Sequence, residues 1–232
     1  MTTAEAKHSR LVVVGPPRAG TTLLASLLAE LGVEFGLEKR GWNINSGYYE
    51  HPDLLRIYGQ VRKYNRVSQL SDNLGDRFKR AAIRGLADLL SKVEAIKYPP
   101  ISAQLPYLMA EAGYAPVLAV SARLFEPYAI SRMRMEGVGY DTCKHDYLEI
   151  YRTALVLLRV YQGSVVVYEG LRGPQREPAL RTLASLAGAS PELVEQVVTA
   201  QVGEARSRAE GATIDQECRA VYEELVRPAG AC

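Results

Sequence analysis

The sequence predicts a three-layer α/β domain, in which a mainly parallel sheet of four or five strands lies between helices on both faces. Short apolar runs rich in β-branched residues alternate with amphipathic stretches along most of the chain. Glycine and proline residues separate the two kinds of segment, as is typical of strand and helix ends. Strands that are joined by helical crossovers pair in parallel and collect ligands beyond their carboxyl ends.

The predicted strands are four short apolar runs. The first covers residues 11–14 and ends at Gly15, and its unbroken apolar character suits a strand that is buried on both faces. The others cover residues 93–98, 116–120 and 164–168. Helices are predicted for residues 20–32, 53–67, 76–93, 102–112 and 141–161, from about residue 126, and for most of the C-terminal part.

The composition is that of an ordinary globular protein. The 232 residues are 47% hydrophobic and 23% charged, and a chain of this length can bury the core of one large domain. We expect residues 1–232 to form a single domain, with a polar N-terminal tail at about residues 1–9.

Charge, hydropathy and cysteine spacing exclude several classes of partner. A net charge of +2 provides no general field for nucleic acid or an anionic membrane. The longest apolar segments fall short of the roughly 18 to 20 residues that span a bilayer, and the N-terminus is polar where a signal peptide becomes apolar. A cytoplasmic protein is therefore expected. Cys143, Cys218 and Cys232 are widely spaced and form no CxxC pair, which indicates reduced thiols rather than disulfides or a zinc site.

The strongest chemical signal is the segment GPPRAGTT, which follows the first strand and opens the first helix. Gly15 and Gly20 let backbone N–H groups approach an anion closely. The start of the helix adds its positive dipole and the hydroxyl groups of Thr21 and Thr22. The segment therefore predicts a phosphate-binding loop and a fold of the P-loop type.

The loop departs from the Walker A pattern, in which a lysine precedes the last Ser or Thr. Thr21 occupies the lysine position, and the basic residue of the loop is Arg18. PRAGTT resembles instead the PKSGTT or PRSGTT loop of sulfotransferases. The resemblance implies a loop that cradles the 5′-phosphosulfate end of 3′-phosphoadenosine 5′-phosphosulfate (PAPS) without a metal ion. Its residues here are Pro17, Arg18, Ala19, Gly20, Thr21 and Thr22.

A second segment, VLAVSARLFEPYAISRMR, resembles the VRDPxxxAxS segment with which sulfotransferases bind the 3′-phosphate. Arg123 and Ser131 match the Arg and Ser of that pattern, whereas Leu124 and Phe125 replace the usual Asp-Pro. The resemblance implies that Arg123 supplies a charged, fork-shaped phosphate ligand. Ser131 is expected to donate its hydroxyl from the start of a helix.

Three shorter segments, GYYEH, IKYPP and VVVYEGL, resemble the GYFEH, LKDPR and VSYEDL segments of bacterial sulfotransferases and occur in the family's order. The resemblance extends from about residue 11 to residue 188. It implies that Tyr168 lies near the adenine or the 3′-phosphate and that Lys97 lies near the active cleft. Glu50 or His51 would take a proton from the acceptor, although either residue equally suits the surface or the cap of a helix that begins near Pro52.

The resemblance implies transfer of a sulfuryl group from PAPS to a hydroxyl or amine acceptor, with release of 3′-phosphoadenosine 5′-phosphate (PAP). Arg18 and the loop N–H groups would meet the negative charge on the leaving nucleotide, and Lys97 would assist them. The acceptor is a small molecule, a carbohydrate or a peptide. Two alternatives remain open, namely a P-loop kinase or nucleotide hydrolase, and a nucleotide-binding protein without catalytic activity.

Overall fold

The computed structural model describes residues 8–36, 49–69, 71–173, 176–202 and 215–227. Its strands are β1 (Ser9–Val14), β2 (Ala95–Lys97), β3 (Ala115–Ala122) and β4 (Gln162–Val167). They form one parallel sheet in the order β2-β1-β3-β4. The predicted α/β class is confirmed, and the described residues contain the lower of the two predicted strand numbers.

Helices flank the sheet on both faces. Those in the described ranges are α1 (Thr21–Glu30), α2 (Pro52–Val67), α3 (Asp72–Leu90), α4 (Leu105–Glu111), α5 (Phe125–Glu136), α6 (Tyr140–Val160), α7 (Glu177–Ala187), α8 (Pro191–Val202) and α9 (Gln216–Val226). Short 3-10 turns, Pro99–Ile101 and Glu169–Leu171, follow β2 and β4. Within these ranges, no helix combines the length and the hydrophobicity that crossing a membrane requires.

Both faces of the sheet are buried, which explains the unbroken apolar runs of the strands. In β1, Val12 and Val14 belong to the cluster that α2 to α6 and α9 cover, whereas Leu11 and Val13 belong to the cluster that α1, α7 and α8 cover. None of these four side chains is more than 7% exposed. Burying a side chain of this size contributes about 1.5–3 kcal/mol, so the two clusters hold the three layers together.

Several predicted boundaries shift for local reasons. β2 is shorter than residues 93–98 because Tyr98 leads into the 3-10 turn that begins at Pro99. That turn also delays the start of α4 to Leu105, beyond the predicted residue 102. α3 begins at Asp72 rather than at residue 76. β1 begins at Ser9, within the predicted tail of residues 1–9.

The topology brings the loops that follow the strands to one edge of the sheet. β1 lies between β2 and β3, with Val13 opposite Lys97 and Val14 opposite Val120. β3 pairs in turn with β4, where Ala122 lies opposite Val167. In a parallel sheet the segments after the strands share the carboxyl edge. The loop after β1 therefore lies between the segment after β2 and the segment after β3.

Candidate functional site

The loop between β1 and α1 has a backbone that requires glycine at two positions. Gly15 and Gly20 have φ angles of 155° and 89°, in the range that L side chains rarely adopt. A Cβ atom on Gly15 would lie 2.9 Å from Cγ2 of Thr21, and one on Gly20 would lie 2.4 Å from Cδ2 of Tyr168. Arg18 also has a positive φ, 68°, and its side chain is exposed. The loop thus follows a course that other residues would obstruct.

Hydrogen bonds from within the loop and from β3 hold the loop in place. The N–H of Ala19 donates to the carbonyl of Pro16 at 3.1 Å. The carbonyl of Ala19 accepts from Oγ of Ser121, in β3, at 2.8 Å. Ala19 is fully buried and Pro17 is half-buried. The loop is therefore fixed to the sheet behind it.

The N-terminus of α1 offers donors to an anion. Gly20 is the N-cap residue, and no side chain caps the helix there. The first N–H groups of a helix have no acceptor within the helix, and they carry the positive end of its dipole. Both predicted hydroxyl groups, those of Thr21 and Thr22, lie in this first turn, where Thr21 is buried and Thr22 is half-buried. This is the arrangement with which helices bind phosphate.

Lys97 supplies a cation to this helix start from the neighbouring strand. It is the last residue of β2, and its side chain is 2% exposed. Its Nζ donates to Oγ1 of Thr22 at 3.0 Å and to Oε1 of Glu50 at 2.9 Å. Burial lowers the pKa of Lys97 and the charge of Arg18 adds to that effect, whereas the Glu50 carboxylate raises the pKa. Lys97 and Glu50, which the sequence analysis considered separately, thus form a direct ion pair.

His51 caps α2. Its Nδ1 accepts a hydrogen bond from the N–H of Asp53 at 3.2 Å, and Pro52 occupies the first turn that follows. An Nδ1 that accepts a hydrogen bond carries no proton, so the proton of the neutral ring is on Nε2. His51 is therefore engaged at the start of α2, whereas Glu50 faces Lys97.

Arg123 follows β3 directly and reaches the loop from the other side. Its Nη1 donates to the carbonyl of Arg18 at 2.7 Å, and its guanidinium carbon lies 4.6 Å from the ring centroid of Tyr168. Its Nε is buried and has no hydrogen-bond partner among the described residues. Burial lowers the pKa of Arg123, and the nearby charge of Arg172 adds to that effect. The guanidinium thus donates one hydrogen bond, to the carbonyl of Arg18, and keeps a buried N–H unsatisfied.

Tyr168 and Glu169 come directly after β4. The N–H of Tyr168 donates to the carbonyl of Ala122 at 2.7 Å, which extends the pairing of β3 with β4 by one bond. The Tyr168 ring packs against Gly20. Oε1 of Glu169 accepts the N–H of Leu124 at 3.2 Å, and burial raises the pKa of this carboxyl group. These contacts tie the segment after β4 to both the phosphate loop and the segment after β3.

Two buried tyrosines on α6 support the Arg123 segment from below. The hydroxyl of Tyr147 donates to the carbonyl of Arg123 at 2.7 Å, and the hydroxyl of Tyr151 donates to the carbonyl of Ser121 at 2.8 Å. The N–H of Arg123 donates in turn to the Tyr151 hydroxyl at 3.1 Å. Burial raises the pKa of both phenols, so they stay neutral donors. The backbone that carries Arg123 is therefore fixed by three hydrogen bonds.

Ser131 does not occupy the helix start that the sequence analysis assigned to it. α5 begins at Phe125, so Ser131 lies in the second turn of the helix, where its side chain is half-buried. Leu124 and Phe125 stand here in place of the Asp-Pro pair, and the helix starts at Phe125. Its backbone N–H is thus inside the helix rather than among the free donors of the first turn.

Sequence reasoning missed several residues that contact the site. Ser121, Glu169 and Arg172 all lie at the carboxyl ends of β3 and β4, which is the one signal that would have selected them. Part of the sequence argument falls outside the described residues, namely Gly47 and Tyr48 of GYYEH, and Cys232.

The comparisons with known proteins support the fold but not a particular reaction. Comparison with protein-family models gives no match, and comparison with curated protein sequences gives none either. Among solved structures, the chain is similar to the sulfotransferase domain from the olefin synthase of Synechococcus PCC 7002, with a TM-score of 0.56. The two chains are 14% identical, and the match covers 98% of each. A likeness at this identity shows the fold alone, and that fold is the sulfotransferase-like α/β arrangement that the sequence predicts.

Proposed function

We propose that this protein transfers a sulfuryl group from PAPS to a hydroxyl or amine acceptor and releases PAP. The observation that carries the proposal is the presence of two cations on opposite sides of one phosphate loop. Lys97 comes from β2 and contacts Thr22, whereas Arg123 follows β3 and contacts the carbonyl of Arg18. Because β2 and β3 flank β1 on opposite sides, these charges suit a nucleotide with two separate anionic groups.

The donor groups fit such a nucleotide at both ends. Residues 17–22 offer backbone N–H groups and hydroxyl groups, and we assign them to the 5′-phosphosulfate. Arg123 has a buried Nε without a partner among the described residues, and we assign it with Ser131 and Tyr168 to the 3′-phosphate and the adenine. A buried N–H without an acceptor is energetically unfavourable. A ligand oxygen that accepts a hydrogen bond from it removes this penalty and thereby increases the affinity.

The residues on the Lys97 side suit the transfer step. PAPS supplies the sulfuryl group, and transfer of this kind needs alignment and positive charge more than covalent help from the protein. Lys97, Arg18 and the loop N–H groups would stabilise negative charge on the departing nucleotide oxygen. Glu50 would take the proton of the acceptor, and His51 would mainly hold α2. No metal ion is part of this proposal.

A comparison of PAP with ADP tests the proposal, because both nucleotides carry two phosphate groups and differ in where the second one is attached. We expect PAP to bind more tightly than ADP in calorimetry, and to do so in the presence of EDTA. Melting temperatures measured with each nucleotide should show the same order, because a ligand stabilises the fold according to its affinity. Turnover is then sought with labelled PAPS and panels of phenols, sugars and peptides.

Each alternative function has its own result. Equal affinities for PAP and ADP, or binding that requires Mg²⁺, would favour a P-loop kinase or hydrolase. Preferential PAP binding with no product from any acceptor would favour a nucleotide-binding protein without catalytic activity. A cytoplasmic location, a small-molecule, carbohydrate or peptide acceptor, and the absence of a nucleic-acid partner are parts of the same proposal.

A further inference from the structure

A second arginine lies against the ring of Tyr168. Arg172 follows the 3-10 turn Glu169–Leu171, and its N–H donates to the carbonyl of Glu169 at 3.2 Å. Its side chain is exposed, and its guanidinium carbon lies 4.6 Å from the Tyr168 ring centroid. Arg123 lies at the same distance from the same centroid. The two guanidinium carbons are therefore at most twice that distance apart.

The positive charge of this arginine pair is poorly compensated. Neither Arg123 nor Arg172 forms an ion pair with another of the residues that the structure describes. The Glu169 carboxylate offsets part of the Arg123 charge. Its Oε1 accepts the N–H of Leu124, and its Oε2 is buried without a hydrogen-bond partner among the described residues. The charge of Arg172 lowers the pKa of Arg123, so the two groups repel each other. A site that holds two repelling cations beside a buried unpaired N–H favours an anion.

We propose that Arg172 is a second ligand of the nucleotide's 3′-phosphate, together with Arg123, and that it determines the preference for nucleotides phosphorylated at that position. This inference rests on the proposed function. A phosphate monoester carries close to two negative charges at neutral pH and presents three acceptor oxygens, which matches two guanidinium groups. Both guanidinium groups lie against the Tyr168 ring, which restricts them before a ligand binds.

A purely structural role for Arg172 predicts a different pattern of affinities. If Arg172 only stacks on Tyr168, its loss would disturb the ring that packs on Gly20 and would weaken every nucleotide alike. If it contacts the 3′-phosphate, its loss weakens PAP and leaves ADP almost unaffected. The ratio of the two affinities therefore separates the two roles, whereas activity alone does not.

The experiment measures PAP and ADP binding by calorimetry, in EDTA and at low ionic strength, for wild type, Arg172→Ala, Arg172→Lys and Arg181→Ala. Arg181 is an exposed arginine on α7 that pairs with Glu177, so its removal changes the net charge equally. We expect Arg172→Ala to raise the Kd for PAP about tenfold and the Kd for ADP less than twofold. Arg172→Lys should fall between wild type and Arg172→Ala for PAP, and Arg181→Ala should match wild type.

Two results would overturn the inference. One is an equal loss of PAP and ADP affinity in Arg172→Ala, which assigns Arg172 to the support of Tyr168. The other is unchanged PAP affinity in both Arg172 variants. If Arg172→Ala proves unstable, the more conservative Arg172→Lys decides alone, because a phosphate ligand loses PAP affinity when its planar fork becomes a point charge. A wild-type chain that shows no preference for PAP over ADP would instead remove the proposed function, and this inference with it.

Discussion

Glu50 and Lys97 act on each other, and this determines how a substitution at either residue must be interpreted. Lys97 is 2% exposed and Glu50 is 23% exposed, with 2.9 Å between Nζ and Oε1. A buried cation loses hydration, and the nearby carboxylate compensates for part of that loss. Glu50 thus raises the pKa of Lys97 against the larger effect of burial. Removing the Glu50 charge removes a possible base and also makes Lys97 easier to deprotonate.

We predict that Glu50→Gln keeps its affinity for PAP but lowers sulfuryl transfer about 100-fold or more, which is the usual contribution of a positioned base. The kcat of the variant should stay low throughout the accessible pH range. If Glu50 served only to keep Lys97 charged, the variant would regain activity on acidification, because Lys97 becomes protonated below its lowered pKa. A pH profile of kcat for wild type and variant distinguishes the two.

His51→Ala is the control for this prediction. It removes the N-cap of α2 and should cost about 1 kcal/mol of stability, with a smaller effect on kcat than Glu50→Gln. An inactive His51→Ala beside a normal Glu50→Gln would exchange the two assignments. If both variants keep their activity, the base lies elsewhere or the acceptor needs none.

At the scale of residues, sequence patterns predict where a side chain starts but not what it contacts. Arg123 directly follows β3 and Tyr168 directly follows β4, close to the strand ends predicted at residues 120 and 168. The ion pair of Lys97 with Glu50 joins residues that are far apart in sequence, and it depends on how α2 approaches β2. The stacking of Arg172 on Tyr168 depends on a 3-10 turn that has no periodic signal. Such contacts emerge only from tertiary packing.

The conformation of the strand-loop-helix element from β1 to α1 depends strongly on one residue, Gly20. Gly20→Ala would place a Cβ at a φ of 89° and 2.4 Å from the Tyr168 ring. We predict that this substitution costs about 1–2 kcal/mol from the backbone and a further 1–3 kcal/mol from displacing the ring. It should also abolish measurable PAP binding. The guanidinium groups of Arg123 and Arg172 lie against the Tyr168 ring, so displacing the ring would move both. Urea denaturation and calorimetry measure the two effects.

Gly32→Ala provides a matched control. Gly32 has a φ of 99°, and an added Cβ there would meet no atom within 4 Å. This variant should show the backbone cost alone and should bind PAP as wild type does. Equal losses of stability in the two variants would show that the contact with Tyr168 does not constrain the loop.

At the scale of elements, the exact first residue of a helix is harder to predict than the presence of the helix. The apolar periods located β1, α1, α2 and α6 to within two residues of their observed limits. The start of α5 matters for the Ser131 prediction, because it determines whether that residue lies in the first turn of the helix. Leu124 and Phe125 replace the residues that the family pattern has there, and α5 begins at Phe125. The altered dipeptide was visible in the sequence, but its consequence for the helix start was not.

For the whole molecule, the parallel sheet explains why distant segments meet. Both core clusters pack on one four-stranded sheet. That residues 1–232 form a single domain stays a prediction. The candidate site uses only the carboxyl edge of that sheet. A different feature lies beside the free edge of β4, namely a cavity of about 1060 Å³ whose walls include Leu155, Val165 and Ala179. It touches Glu169 but no residue of the phosphate loop.

A ligand at the proposed site and a ligand in this cavity would slow hydrogen exchange in different peptides. We expect PAP to slow amide exchange in peptides that cover residues 15–24, 121–131 and 168–173, since the ligand would pair with first-turn N–H groups that have no acceptor within the helix. Peptides from the amino end of β3, near residues 113–117, serve as the internal control and should not change. Protection confined to residues 155–167 and 178–182 would place the ligand in the cavity at the free edge of β4 and contradict the proposed site. In the same experiment, Arg123→Ala should lose protection mainly at residues 168–173. The reason is that Arg123 and Tyr168 contact each other at the end of the site assigned to the 3′-phosphate.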